Sequence, residues 1–222
     1  DLATDLAGNI SLPSDVYPFT VDTETLIPVA ALDAEDDAGS SNSDWITNHN
    51  DMLQLHGTAE KYATVSIMLD GRLLGTALAD ENGVWACEIN PNPALADDVY
   101  KVDIIAKDEI GNVANSTYDL VIDTVTDTPT LMIDAASDTG VDDNDSITKD
   151  PQPLFKGTAE AGAEVALFVN GINYGSAVAD KNGNWSFRVP ADKKLAEGEY
   201  SVMVVSTDIA GNSASSVPVP VI

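Results

Sequence analysis

The segment Gly57-Thr58-Ala59-Glu60 returns as Gly157-Thr158-Ala159-Glu160, one hundred residues further along the chain. Three more segments return at the same spacing: 70–71 as 170–171, 79–85 as 179–185, and 108–112 as 208–212. Self-similarity at a fixed period indicates repeated structural units. A period of this length fits a whole small domain and is too long for one unit of a solenoid. The sequence therefore predicts two similar domains in tandem.

A third, incomplete copy of the repeat stands at the front of the chain. The motif Asp-x-x-Gly-Asn is also present at 5–9, and Val21-Asp22-Thr23 matches Ile122-Asp123-Thr124. We therefore predict that residues 1–22 are the C-terminal strand and linker of a preceding repeat. One domain is then expected at 23–122 and a second at 123–222. Because no Met begins the chain, we expect it to be a piece of a longer array.

Short strands separated by turn signals fill each of the two predicted domains. In the second domain Val165, Leu167 and Val169 alternate with polar or exposed positions, and Asn170-Gly171 then supplies a tight hairpin turn. Seven such strands in a domain of this size predict an all-β fold, made of tandem seven-stranded immunoglobulin-like β-sandwiches. Tyr200 and its counterpart in the first domain are candidates for a tyrosine corner, in which the hydroxyl bonds back to the backbone.

The composition is strongly acidic but still rich in apolar residues. The formal net charge is −27, and 44% of the residues are hydrophobic, which is enough to build domain cores. A charge of this sign repels nucleic acid and anionic lipid, so we expect no nucleic-acid partner and no membrane insertion. The charge leaves two interpretations, binding of cations, above all Ca²⁺, or simple solubility; the clustering of carboxylates in corresponding loops favours the first. With Cys87 as the single cysteine, packing or bound ions must stabilise the fold without an internal disulfide.

A long acidic loop follows the first strand of each domain. It reads DDAGSSNSDWIT at 36–47 and SDTGVDDNDSIT at 137–148. Carboxylates and amides on an irregular loop suit Ca²⁺, which takes about six to eight oxygen ligands with loose geometry. A zinc site would need cysteine and histidine, and an EF-hand loop would need a sixth-position Gly and a closing Glu that are missing here. The loops therefore predict calcium binding.

The strand order of a seven-stranded sandwich predicts where the carboxylates meet. We call the end of a domain from which the chain leaves its exit pole and the end at which the chain enters its entry pole. The first loop should lie at the exit pole and the last hairpin at the entry pole. Carboxylates of one domain's loop, of the linker and of the next domain's hairpin should therefore converge. If the loops instead close on themselves, Asp138, Asp143 and Asp145 form a site within one domain. Glu60, Glu160, Asp80 and Asp180 also belong to the entry poles and are secondary candidates.

The expected junctions use different parts of this set of carboxylates. Asp37 and Asp44 should meet Asp123 and Asp208 at the central junction. An incomplete front junction should use Asp22 and Asp108. Asp138 and Asp145 of the second loop should meet a further domain that is not part of this sequence. The predicted ligands are Asp22, Asp37, Asp44, Asp108, Asp123, Asp138, Asp143, Asp145 and Asp208.

Together these motifs resemble those of a known family. The ordered set Asp-x-Gly…Asp-x-Ile-Thr, Gly-Thr-Ala-Glu, Ala-Asp-x-Asn-Gly-x-Trp, Asp-x-x-Gly-Asn and Asp-Thr is similar to the bacterial immunoglobulin-like repeats of giant type I-secreted adhesins. That family includes biofilm-associated proteins and the giant non-fimbrial adhesin of Salmonella. The resemblance covers essentially the whole chain and implies calcium-stiffened extender domains at a bacterial cell surface, with roles in biofilm formation and virulence. Asn42 departs from the pattern, because it stands where the second loop has Asp143.

The hypothesis that follows is a monomeric, extracellular spacer. Its partners are neighbouring repeats, while other domains of the parent protein bind a host cell or surface. The alternative is an immunoglobulin-like module that itself binds a glycan or a host protein, for which Trp45 with His49 is the candidate patch. We expect no enzyme, because His49 and His56 are not repeated and no nucleophile motif surrounds a serine.

Overall fold

The computed structural model describes residues 2–142 and 145–222, so the predicted ligand Asp143 lies outside the described residues. Within these ranges the first domain forms β1 (Val29–Leu32), β2 (Ile46–Thr47), β3 (Leu53–Thr58), β4 (Thr64–Leu69), β5 (Arg72–Leu78), β6 (Val84–Ile89), β7 (Asp98–Lys107) and β8 (Val113–Ile122). The second domain forms β9 (Met132–Ile133), β10 (Leu154–Thr158), β11 (Glu164–Val169), β12 (Ile172–Val178), β13 (Asn184–Arg188), a 3-10 helix (Ala191–Lys193), β14 (Tyr200–Thr207), β15 (Ser213–Ser215) and β16 (Val219–Val221).

Each domain is a sandwich of two sheets. In the first domain the strand orders are β1-β3-β6 and β2-β8-β7-β4-β5. In the second they are β9-β10-β13 and β12-β11-β14-β15, with β16 also paired to β14. The predicted all-β fold of tandem immunoglobulin-like sandwiches is confirmed. No helix in the described parts of the chain is long and apolar enough to cross a membrane.

The first strand of each domain crosses from one sheet to the other. In the first domain β1 pairs with β3, whereas β2 pairs in parallel with β8 in the opposite sheet. The acidic loop is the connection between β1 and β2, so it lies at the rim of the sandwich beside the end of β8. The second domain repeats this crossing: Ile222 donates to the carbonyl of Ser146 at 3.0 Å, and Thr148 donates to that of Ile222 at 2.7 Å.

The core forms because alternate side chains of each strand face inward. Val65, Ile67 and Leu69 of β4 are buried, as a period of two requires for a strand with one face on the core. Trp85 is buried in the first core cluster and Trp185 in the second. The tyrosine corner is confirmed in both domains: the hydroxyls of Tyr100 and Tyr200 donate to the backbone carbonyls of Ala96 and Ala196, each at 3.0 Å.

The glycine that opens the repeated Gly-Thr-Ala-Glu segment allows close packing of neighbouring strands. A Cβ on Gly57 would lie 1.8 Å from the carbonyl oxygen of Val29, and one on Gly157 would lie 1.9 Å from that of Thr130. The same Cβ atoms would also press on the rings of Trp85 and Trp185. The repeat therefore retains glycine where the first strand passes over the tryptophan.

Replacing this glycine should destabilise one domain and leave the other intact. We expect Gly157→Ala to lower the free energy of unfolding of the second domain by about 3 kcal/mol, because the added methyl group overpacks a strand contact. Urea denaturation read by pulsed hydrogen exchange and mass spectrometry follows the two domains separately. The first domain is the internal control. An unchanged urea midpoint for the second domain would contradict the packing role of Gly157.

Candidate cation sites at the domain junction and in the acidic loops

Three carboxylates come together where the linker meets the second domain. One carboxylate oxygen each from Asp123, Glu160 and Asp208 lies within 4.8 Å of the others. Asp123 directly follows β8, Glu160 lies in the turn after β10, and Asp208 directly follows β14. The cluster therefore joins the end of the first domain to the entry pole of the second.

A second cluster of the same composition lies at the entry pole of the first domain. Asp22, Glu60 and Asp108 also place one carboxylate oxygen each within 4.8 Å of the others. Both clusters thus consist of a linker aspartate, a turn glutamate and a hairpin aspartate. The two glutamates were only secondary candidates in the sequence. The signal for them was their position in the repeated tetrapeptide, at the turn that faces the hairpin.

The Asp-x-x-Gly-Asn hairpin holds its aspartate in a fixed orientation. Oδ1 of Asp108 accepts hydrogen bonds from the backbone N–H groups of Ile110, Gly111 and Asn112 at 2.9, 2.6 and 2.8 Å. The Asn112 side chain donates to the other oxygen, Oδ2, at 2.7 Å. Burial alone would raise the pKa of Asp108, but these hydrogen bonds outweigh it and lower the pKa. The motif is therefore a turn capped by aspartate, and the same aspartate belongs to the cluster.

Like charges crowd Glu160 in the central cluster. Burial raises its pKa, and the neighbouring carboxylates Asp208, Asp123 and Asp127 raise it further, while a hydrogen bond from Thr126 acts in the opposite direction. The hydroxyl of Thr126 donates to Oε2 of Glu160 at 3.2 Å. A carboxyl group that is destabilised as an anion by its neighbours is one whose charge a bound cation would stabilise.

The acidic loops contain a second type of candidate site, inside each domain. Asp37 and Asp138 are 2% and 4% exposed. Oδ2 of Asp37 accepts from the backbone N–H of Trp45 at 3.5 Å, and Oδ2 of Asp138 accepts from that of Ser146 at 3.1 Å. Among the described residues, Oδ1 of each aspartate is buried without a hydrogen-bond partner. A buried, unpartnered carboxylate oxygen is costly unless a ligand satisfies it.

Oxygen atoms converge beside Gly140 in the second loop. A Cβ on Gly140 would lie 3.3 Å from the carbonyl oxygen of Ile147, 3.4 Å from that of Asp142 and 3.5 Å from Oδ1 of Asp145. Carbonyl and carboxylate oxygens are the donors that Ca²⁺ takes in proteins. The residues present in this loop therefore fit a calcium ion in donor chemistry, and the buried Oδ1 of Asp138 adds an unsatisfied acceptor.

The structure divides the predicted ligands between these two types of site. Asp123 and Asp208 meet at the central junction together with Glu160. Asp37 and Asp44 are not members of that cluster; they belong to the loop, where burial raises the pKa of Asp37 and the charge of Asp44 raises it further. The carboxylates of Asp37 and Asp44 are outside the cluster even though Ser40 of the same loop donates to the carbonyl oxygen of Ile209 in the hairpin at 3.1 Å.

Trp45 is not available as the glycan platform that the alternative hypothesis required. Its side chain is buried, with 8% exposed. Its ring stacks on that of Tyr118 with a centroid distance of 4.6 Å and an interplanar angle of 14°. The pairing of β2 with β8 explains this, because it brings the residue before β2 over a tyrosine of β8. His49 lies beside Asp36 instead, with 3.1 Å between Nδ1 and Oδ1.

The structure consists of two similar immunoglobulin-like sandwiches in tandem, each with a carboxylate cluster at its entry pole. The sequence family described as bacterial Ig-like domain matches residues 24–124 and again 125–222. The chain belongs to the family of bacterial Ig-like domains.

Similar solved structures include bacterial and animal proteins. Domains of titin superpose with a TM-score of 0.50 at 10% identity, over 89% of this chain and 66% of that one. A Ca²⁺-stabilised adhesin that helps an Antarctic bacterium reach out and bind ice gives a TM-score of 0.41 at 24% identity. That comparison covers 99% of this chain and 54% of the adhesin chain, so the protein spans about half the length of that relative. No curated protein matches the chain.

The buried carboxyl group of Asp37 gives a pH-dependent prediction. Desolvation raises its pKa above the ordinary value of 3.8, and the charge of Asp44 raises it further, against the hydrogen bond from Trp45. The folded state therefore binds a proton more readily than the unfolded state, so deprotonation of Asp37 destabilises the first domain. In calcium-free buffer this contribution to stability should increase as the pH falls from 7 through the raised pKa.

The variant Asp37→Asn tests the sign of this effect. It should be more stable than the unmodified protein at pH 7 without Ca²⁺, and the difference should shrink as the pH falls toward 3.8. Urea midpoints of the first domain, measured along a pH series, give the comparison. Asp192→Asn removes one exposed carboxylate elsewhere and serves as the control. A variant less stable than the unmodified protein at pH 7 would show that the carboxylate is satisfied without a cation.

Proposed function

We propose that the chain is a calcium-stiffened extender of a large bacterial surface adhesin, which holds a distal ligand-binding region away from the cell. The observation that carries this proposal is the recurrence of one cluster composition, linker Asp, turn Glu and hairpin Asp, at both entry poles. Membership in the bacterial Ig-like family and the tandem arrangement support the same role. On this proposal the chain is extracellular, monomeric and non-enzymatic, and its ligand is bound by other domains.

The central cluster would act by joining three segments that otherwise repel one another. Asp123 belongs to the linker, and Glu160 and Asp208 belong to the second domain. At neutral pH the cluster carries like charges within 4.8 Å, an arrangement that favours separation of the linker from the domain. A bound Ca²⁺ would supply the compensating positive charge, so the three carboxylates would hold the interdomain angle.

The loop sites would act differently, because each lies within one domain. Asp138 and Asp145 belong to the connection that lets the first strand cross between sheets. A cation held by this loop would stabilise the crossing and with it the exit pole of the domain. We therefore assign stiffening to the junction clusters and local stability to the loops.

Junction and loop sites can be separated by experiment. Ca²⁺ at about one hundred times its dissociation constant should raise the free energy of unfolding by about 2.7 kcal/mol per site that forms only in the folded state. Small-angle scattering of the whole chain should also show a longer, stiffer particle with Ca²⁺ than with EGTA. Asp123→Asn with Asp208→Asn should abolish the change in scattering and leave the loop-dependent gain in stability.

Asp138→Asn should give the opposite result. The second domain should lose most of its calcium-dependent stabilisation, while the scattering profile still responds to Ca²⁺. Asp192→Asn is the control for the loss of one negative charge at an exposed position of the 3-10 helix. Scattering and melting curves that are identical with Ca²⁺ and with EGTA would overturn the proposed function.

A further inference from the structure

The last hairpin of the second domain is seated directly on the acidic loop of the first. The backbone N–H of Ser40 donates to the carbonyl oxygen of Ile209 at 3.1 Å. A Cβ on Gly39 would lie 2.0 Å from that same oxygen, so the contact requires glycine. On the other side, a Cβ on Gly211 would lie 3.0 Å from the backbone nitrogen of Gly39. The two backbones are therefore in close contact.

The last hairpin is more buried in the second domain than in the first, as expected if the second hairpin contacts the first domain. Ala210 is 1% exposed, whereas Ile110, at the same position of the first hairpin, is 66% exposed. Both hairpins have the same internal bond from the Asn side chain to the Asp carboxylate, at 2.7 Å in the first and 2.9 Å in the second. The buried Ala210 lies at the contact with the first domain, because a Cβ on Gly39 would lie 2.8 Å from its carbonyl carbon.

The side chain of Asn212 ties the second domain to the linker. Its Nδ2 donates to the carbonyl oxygen of Asp123 at 2.8 Å, in addition to its bond with Oδ2 of Asp208. The linker at this point is fixed to the first domain: the N–H of Asp123 donates to Thr47 O at 3.0 Å, and the hydroxyl of Thr124 donates to Asp97 at 2.8 Å. The amide of Asn212 thus forms a hydrogen bond between the second domain and the linker, which is itself bonded to the first domain.

From these contacts we propose that Asn212 and Gly39 form a cation-independent clamp between the two domains. The amide of Asn212 holds the linker carbonyl, and Gly39 lets the hairpin approach closely enough for the bond between Ser40 and Ile209. Neither interaction requires an ion, so the clamp stands apart from the proposed calcium function. Without Ca²⁺ the junction retains a restricted interdomain angle, and Asn212 is a positioning residue that keeps Asp123 beside Asp208.

The backbone amide of Ser40 reports on the clamp, because its acceptor lies in the other domain. Hydrogen exchange is measured by NMR on the whole chain in calcium-free buffer. We expect the Ser40 amide to be protected, and Asn212→Ala to increase its exchange rate by about tenfold, since a hydrogen bond of ordinary strength is lost. Amides in β4 and β11 should keep their rates, which shows that both domains remain folded.

Asn112→Ala is the matched control. Asn112 makes the same bond within its hairpin and donates to the segment ahead of its own domain, to Glu24 O at 3.4 Å and Asp22 Oδ1 at 3.5 Å. Among the described residues it has no hydrogen bond to the second domain. It should leave the Ser40 amide unchanged. Gly39→Ala is the second variant, and it should deprotect Ser40 through the other half of the contact.

Two results would overturn the clamp. One is an Asn212→Ala protein whose Ser40 amide exchanges at the unmodified rate. The other is complete loss of Ser40 protection in the unmodified protein on removal of Ca²⁺ alone. In the second case the calcium proposal would stand and the clamp would fall. A scattering profile that does not respond to Ca²⁺, combined with deprotection of Ser40 by Asn212→Ala, would leave the clamp and remove the calcium proposal.

Discussion

The crossing of the first strand between the two sheets is the constraint on which the rest of the structure depends. β1 completes one sheet through β3, and β2 completes the other through β8. The connection between them cannot be a regular strand, because it must leave one ladder before it joins the other. It therefore becomes a loop at the exit pole. This loop places Asp37 in a buried position and Gly39 against the next domain.

The junction then depends on two kinds of interaction with different physical origins. Hydrogen bonds between neutral groups, such as that from Asn212 to the Asp123 carbonyl, are short-ranged and directional. The repulsion among Asp123, Glu160 and Asp208 is electrostatic and acts against them. The same hairpin carries both, since Asp208 and Asn212 are the first and last residues of one motif.

Much of the fold could be predicted from the sequence, because the signals are local and repeated. The hairpin at Asn170-Gly171 depends on backbone preference alone, and both residues have positive φ, at 49° and 79°. The identity of the clustered carboxylates was harder to predict. Glu160 joins Asp208 only because the turn after β10 faces the hairpin, which is a tertiary relation. Gly39 and Asn212 make two separate contacts, Gly39 with the backbone of Ile209 and Asn212 with the carbonyl oxygen of Asp123. Both are tertiary relations, so the repeated motif that contains Asn212 does not reveal its partner.

Of the charges that make up the net charge of −27, only the carboxylates closest to one another at a junction should affect the angle between the domains. At physiological ionic strength, salt screens exposed charges over about 8 Å, so most surface carboxylates of the two domains contribute little to the angle between them. Carboxylates within 4.8 Å of one another, partly buried, are screened far less. On the proposed function, resistance to bending would therefore be a local property of each junction. On the same proposal, a change of one residue in the hairpin would alter stiffness without a large change in the overall charge.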